Sequence, residues 1–210
     1  MIRLVIETAT AACSVALLEG DRVIAATHEV VGRGHAERLM PMIAALPDGG
    51  RADAILVGCG PGSFTGVRVG VAAARALALG WSVPVNGYPT LALLAATTLS
   101  QANAPSTLAI AMTGGHGQLF VQRFAGSPVR PLDALASLTP ADAAHAVPDA
   151  HVVGSGAAAV VAARGWGDAR DALPAAADLI LFPSELAGLP PVPIYGRAPD
   201  AKLPGGRTPA

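Results

Sequence analysis

Gly58-Cys59-Gly60-Pro61-Gly62-Ser63-Phe64-Thr65-Gly66-Val67-Arg68-Val69-Gly70 is the stretch on which the reading of this chain turns. Ala54-Ile55-Leu56-Val57 precedes it and Val71-Ala72-Ala73-Ala74-Arg75-Ala76-Leu77-Ala78-Leu79 follows, so it reads as the turn between a buried strand and a helix. Its glycines allow close backbone approach, and Ser63 or Thr65 can cap the helix by accepting from a free N–H. Two uses of such a turn compete. One is phosphate binding at the helix N-terminus, although the stretch lacks the Lys-Ser/Thr pair of a P-loop and the spacing of the dinucleotide fingerprint. The other uses Gly66, Gly70 and Ala74, four residues apart, as a flat stripe on which a second helix packs closely. The second reading is favoured.

The 210 residues suffice for one domain or two small ones with a real core. Apolar residues make up 52% and charged ones 14%, but much of the apolar share is alanine. Arg75, Gly80 or Pro84 interrupts the longest apolar runs before they reach the roughly 18–20 residues of a membrane helix. Glu7 falls where a signal peptide would stay apolar, so the expectation is a cytoplasmic protein without membrane contact. Cys13 and Cys59 read as small buried hydrophobes. A net charge of −1 and the lack of any basic run argue against nucleic-acid binding by this chain alone.

Ile2–Glu7, Cys13–Leu18 and Arg22–Thr27 read as a three-strand meander. From Ala36, the residues Leu39, Met42, Ile43 and Leu46 share one helical face, and Pro47-Asp48-Gly49-Gly50 ends that helix. The strand at Ala54–Val57, the glycine turn and its helix, the strand-like Val83–Asn86 and a helix over Thr90–Leu99 follow. A second half then begins like the first, with strands Leu108–Met112 and Leu119–Phe124 around Thr113-Gly114-Gly115-His116-Gly117. A short helix over Pro140–Ala146, a strand, glycine turn and helix start over His151–Ala157, and a helix over Leu173–Leu181 complete the expectation. The domains are accordingly 1–103 and 104–210, the second smaller and with an irregular tail.

Gly60-Pro61-Gly62-Ser63-Phe64-Thr65-Gly66-Val67-Arg68-Val69-Gly70 resembles the signature of the TsaB (YeaZ) family, bacterial proteins of threonylcarbamoyladenosine (t6A) tRNA modification. Gly34-His35-Ala36-Glu37-Arg38-Leu39-Met40-Pro41-Met42-Ile43 and Arg197-Ala198-Pro199-Asp200-Ala201-Lys202 agree with it, so the resemblance brackets the chain. It implies an α/β fold of the duplicated actin, sugar-kinase and Hsp70 type (ribonuclease H-like), with two mixed-sheet domains. The repeated opening hairpin suggests the same fold.

The resemblance further implies a non-catalytic subunit that binds and activates the related transferase TsaD, which modifies adenosine 37 of tRNA. The contact would lie on helices Ala36–Leu46 and Val67–Leu79, through His35, Arg38, Leu39, Met42, Ile43, Phe64, Gly66, Val67, Gly70, Val71 and Ala74. Gly70→Arg is then expected to block binding, the chain staying folded if Gly70 faces outward. A homodimer would use the same helices, the ATPase subunit TsaE is a further partner, and tRNA is met only through the complex. ATP or ADP and metal are expected on TsaD or at the complex interface, with no cofactor in the isolated chain.

Catalytic members of this fold place an acidic residue at the end of each half's first strand. Here Glu7 fills the first position, while the second is near Met112 or Thr113, so Glu7, Thr8, Gly154 and Gly156 read as remnants of a nucleotide site, Glu7 reading also as a structural acceptor of hydrogen bonds from nearby backbone N–H groups. The TsaD metal pair, His-x-x-x-His, would fall on Thr90 and Leu94 when the chains are aligned by Pro84 and Gly87. The five histidines show no i,i+4 pair and no cysteine companions at zinc spacing, so no metal site is expected. His35 reads as a helix-start histidine bonded to Glu37 or to backbone. Lys202, the only lysine, is either an exposed tail residue or the partner of an anion. Two other functions compete with the accessory subunit: an ATP-dependent enzyme of the same fold, opposed by Thr113, and a metallopeptidase, opposed by Thr90 and Leu94.

Overall fold

The computed structural model describes residues Met1–Gly196, so the Arg197–Lys202 motif and its lysine lie outside the described residues. Strands β1 (Ile2–Glu7), β2 (Ala12–Glu19) and β3 (Arg22–Val30) form the expected antiparallel meander, and β4 (Ala54–Gly58) and β5 (Val85–Tyr88) add to the other side of β1 in parallel. The resulting order is β3-β2-β1-β4-β5. Helices α1 (His35–Ala44) and α2 (Phe64–Trp81) cover one face, burying Leu39, Met42, Ile43, Val67, Val71 and Ala74 with Leu4, Ile6, Val15 and Val57.

The second half repeats this plan with β6 (Thr107–Thr113), β7 (Leu119–Ala125), β8 (Arg130–Pro131), β9 (Ala136–Leu138), β10 (His151–Val153) and β11 (Asp168–Arg170). Again a hairpin, β6–β7, is extended on one side by parallel strands, giving β11-β10-β6-β7-β8 with β9 also on β7. Helices α4 (Pro140–Ala146) and α5 (Ala157–Arg164) pack on it through Ala143, Ala157 and Val160. Two mixed sheets on one plan are the duplicated actin-like fold.

Two segments cross between the halves. Helix α3 (Thr90–Leu99) is apolar nearly all round, as a helix must be when both of its sides are covered. Leu93 packs with Val5, Leu18 and Leu56 of the first sheet, whereas Leu91 and Leu94 pack with Leu108, Ile110 and Phe124 of the second. Residues beyond β11 then return to the first sheet. The helix expected over Leu173–Leu181 is instead a 3-10 turn confined to Ala176–Leu181. The Ala176 N–H is drawn to the Ser14 hydroxyl (2.9 Å), while Ala176 and Leu179 fill the first-sheet core. A strap follows, pairing Leu189 with Gly87 at the β5 edge and donating the Ile194 N–H to Cys59 O (2.8 Å).

Candidate functional site

The glycine turn connects β4 to α2 as expected, and several of its N–H groups are bonded within the chain. The Ser63 hydroxyl caps α2 by accepting from the Gly66 N–H (3.2 Å). The N–H groups of Ser63, Cys59 and Gly60 go to Ala9 O (2.7 Å), Tyr88 O (2.9 Å) and the Thr90 hydroxyl (3.2 Å). These donors are committed within the chain, which leaves fewer of the turn's N–H groups for a phosphate.

Glu7 lies beneath this turn and is wholly buried. One carboxyl oxygen accepts from the Ala9 N–H (2.8 Å) and the other from the Thr90 hydroxyl (3.1 Å). Burial pushes the carboxyl up to about 7, outweighing the opposing hydrogen bonds from Ala9, Thr90 and Tyr88. Its tight seat explains Gly58, where a Cβ would run into the carboxyl group.

Glu7 thus accepts from a nearby backbone N–H, as its structural reading expects, and the other residues read as nucleotide-site remnants also have hydrogen-bonding roles within the chain. Thr8 is wholly buried, with its hydroxyl donating to Gly66 O (2.8 Å). Gly154 donates its N–H to Arg170 O and Gly156 to Ala111 O (both 2.9 Å), while Thr113 is stitched to Ser155 through that serine's hydroxyl and carbonyl. Thr90 and Leu94 are buried too, Thr90 tying the glycine turn to Glu7 and Leu94 filling the second-half core. Among the described residues no group of three or more His, Cys, Asp or Glu gathers to hold a metal, and no helix is long and apolar enough to cross a membrane.

The proposed helix contact needs a second correction. Gly66, Gly70 and Ala74 do form a close-packing stripe, but it faces the chain's own first strand. A Cβ at Gly66 would meet Thr8 O, and one at Gly70 would meet the Thr8 hydroxyl. Gly70→Arg would therefore disrupt folding rather than test an interface. Leu39, Met42, Ile43, Val67 and Val71 are likewise core residues. His35, 2% exposed, donates from Nε2 to Thr10 O (2.8 Å), fixing the start of α1 to the β1–β2 connection; that agrees with the backbone-bonded reading and removes it from the surface. Arg38 and Phe64 alone of the expected contact residues are exposed.

The outward face of the two helices is offset from the expected one. It carries Met40 (46% exposed), Phe64 (61%) and Leu79 (84%), with Arg68, Ala72, Arg75 and Ala76 also exposed. The helical period held the signal, since a core face at 67, 71, 74 and 78 leaves 68, 72, 75, 76 and 79 on the far side. Arg38 binds Glu29 through Nε and Nη2 (3.0 and 2.7 Å), and Arg68 lies over the Phe64 ring, 3.6 Å from its centroid.

The family model described as "TsaD: tRNA N6-adenosine threonylcarbamoyltransferase" matches residues 24–156, more than half of the chain. The structure of YeaZ from Pseudomonas aeruginosa is 32% identical, covering 92% of this chain and 99% of that one with a TM-score of 0.76. The chain belongs to the TsaB (YeaZ) family. Two proteins named tRNA threonylcarbamoyladenosine biosynthesis protein TsaB, from Escherichia coli K12 and Haemophilus influenzae, are 44% and 40% identical over 44% and 50% of this chain. The chain spans about half the length of these curated relatives, 42% and 47%. The TsaB signature thus coincides with the turn that buries Glu7 and sets the start of α2.

Proposed function

We propose that this chain is an accessory subunit of t6A formation that binds and activates TsaD without carrying out the transfer itself. The observation that carries this reading is the contrast between the turn and the helices it starts. The Glu7 carboxyl, the Thr90 hydroxyl and the Cys59, Gly60 and Ser63 N–H groups are bonded within the chain, whereas the outer face of α1 and α2 presents Met40, Phe64, Arg68 and Leu79 to solvent. Exposed large apolar side chains beside an arginine are what a protein partner uses as anchors. The small Ala72 and Ala76 between them let a partner helix approach closely. Nucleotide and metal then belong to TsaD or to the interface, tRNA is met through the complex, and TsaE acts as a further partner. A homodimer through the same face would compete with TsaD.

Calorimetry of the full chain with TsaD tests the reading, together with a t6A transfer assay with and without the chain. The expected result is a heterodimer and transfer that depends on it, with Phe64→Ala weakening binding about tenfold or more. Unchanged transfer in the chain's absence would overturn it.

A further inference from the structure

The far end of the described chain meets the start of α2. Tyr195, 58% exposed, lies with its ring centroid 6.3 Å from that of Phe64, and its hydroxyl accepts from Arg68 Nη2 and Nε (2.9 and 3.3 Å). Arg68 is thereby held between two rings, its guanidinium carbon 3.6 Å from the Phe64 centroid and 5.7 Å from that of Tyr195. The strap delivers Tyr195 there because Leu189 is paired to Gly87 and Ile194 to Cys59. An exposed arginine ordinarily samples many rotamers, and fixing it beforehand lowers the entropy lost on binding. Helix α2 carries Arg68 and Arg75 but no carboxylate, and neither arginine makes an ion pair among the described residues. Two arginines without a carboxylate partner among the described residues, in a chain of net charge −1, suit a carboxylate on a protein surface better than a polyanion.

We infer that Tyr195 is a positioning residue of the partner surface, holding Arg68 against Phe64 so that the guanidinium is in place for a carboxylate of TsaD. This rests on the proposed function. Calorimetry against TsaD would compare the full chain with Tyr195→Ala, Tyr195→Phe, Arg68→Ala and the Tyr195→Phe/Arg68→Ala pair, each checked for an unchanged melting temperature. Tyr195→Ala should weaken binding about tenfold and Tyr195→Phe, which keeps the ring, about threefold. Once Arg68 is alanine, Tyr195→Phe should have no further effect, because the hydroxyl acts only through the guanidinium. Wild-type affinity in Tyr195→Ala, or an undiminished Tyr195→Phe effect in the Arg68→Ala background, would overturn this inference and leave the functional reading standing. Failure of the wild-type chain to bind TsaD would remove both.

Discussion

Glu7 in the first half and Asp149 in the second are the buried carboxyls of the described residues, and the two halves treat them oppositely. Glu7 sits among neutral donors, and burial pushes it up to about 7. Asp149 is pushed up by burial as well, but the Arg123 side chain, 2.6 Å away, with the Thr107 hydroxyl, outweighs that and holds it below its ordinary value. A shared plan of strands does not dictate shared electrostatics. The first carboxyl organises the turn that starts α2, whereas the second forms an ion pair with β7 that fastens the loop before β10.

Breaking the Asp149 pair should have the larger effect. Arg123→Met leaves a carboxylate whose side chain is only 1% exposed without its cation, which should cost about 4 kcal/mol of unfolding free energy at neutral pH. Because Asp149 lies below its unfolded value in the wild type, the stability it adds is present above the ordinary aspartate range and lost as the pH falls through its folded value. Urea titrations at pH 7 and pH 4 should therefore show the penalty of Arg123→Met shrinking in acid, where the lone carboxyl is protonated.

Glu7 should show the reverse slope. A carboxyl raised from 4.5 to about 7 leaves the native state holding a proton that the unfolded chain has released, so its contribution is full below pH 4.5 and lost as the pH climbs through 7. The shift corresponds to about 3 kcal/mol. Glu7→Gln keeps the shape without the charge and should exceed the wild type in stability at pH 8 by up to that amount, with little difference at pH 5. A wild-type curve flat between pH 5 and pH 8 would show that Glu7 has a compensating partner.

Local chemistry made much of this fold legible. Alternation and turn residues gave both hairpins, and the repeated order of strand, small-residue turn and strand gave the duplication. The inward role of Gly66 and Gly70 was hidden because a small-residue stripe suits an internal strand as well as an external helix. Only the atoms beyond the missing Cβ, here Thr8, decide between them. Tyr195 was invisible for another reason: its contact with Arg68 spans 127 residues and depends on the strap following the β5 edge, which no local period records.

The smallest expected effect lies at Thr90, the group that gives Glu7 its particular setting. Its hydroxyl donates to Glu7 and accepts from the Gly60 N–H, so Thr90→Val preserves the volume while removing both bonds. The Gly60 N–H is then left in a buried turn without its acceptor, at a cost of about 2 kcal/mol by urea denaturation. Thr90→Ser retains the hydroxyl and should lose less than half as much. The loss should also depend on pH: an ionised Glu7 needs the donor more than a protonated one does, so Thr90→Val should destabilise more at pH 8 than at pH 5. That difference should vanish in a Glu7→Gln background, where there is no charge left to solvate. If Thr90→Val instead costs the same at both pH values, the hydroxyl serves the glycine turn alone, and the contrast between the two carboxyls rests on burial without any contribution from Thr90.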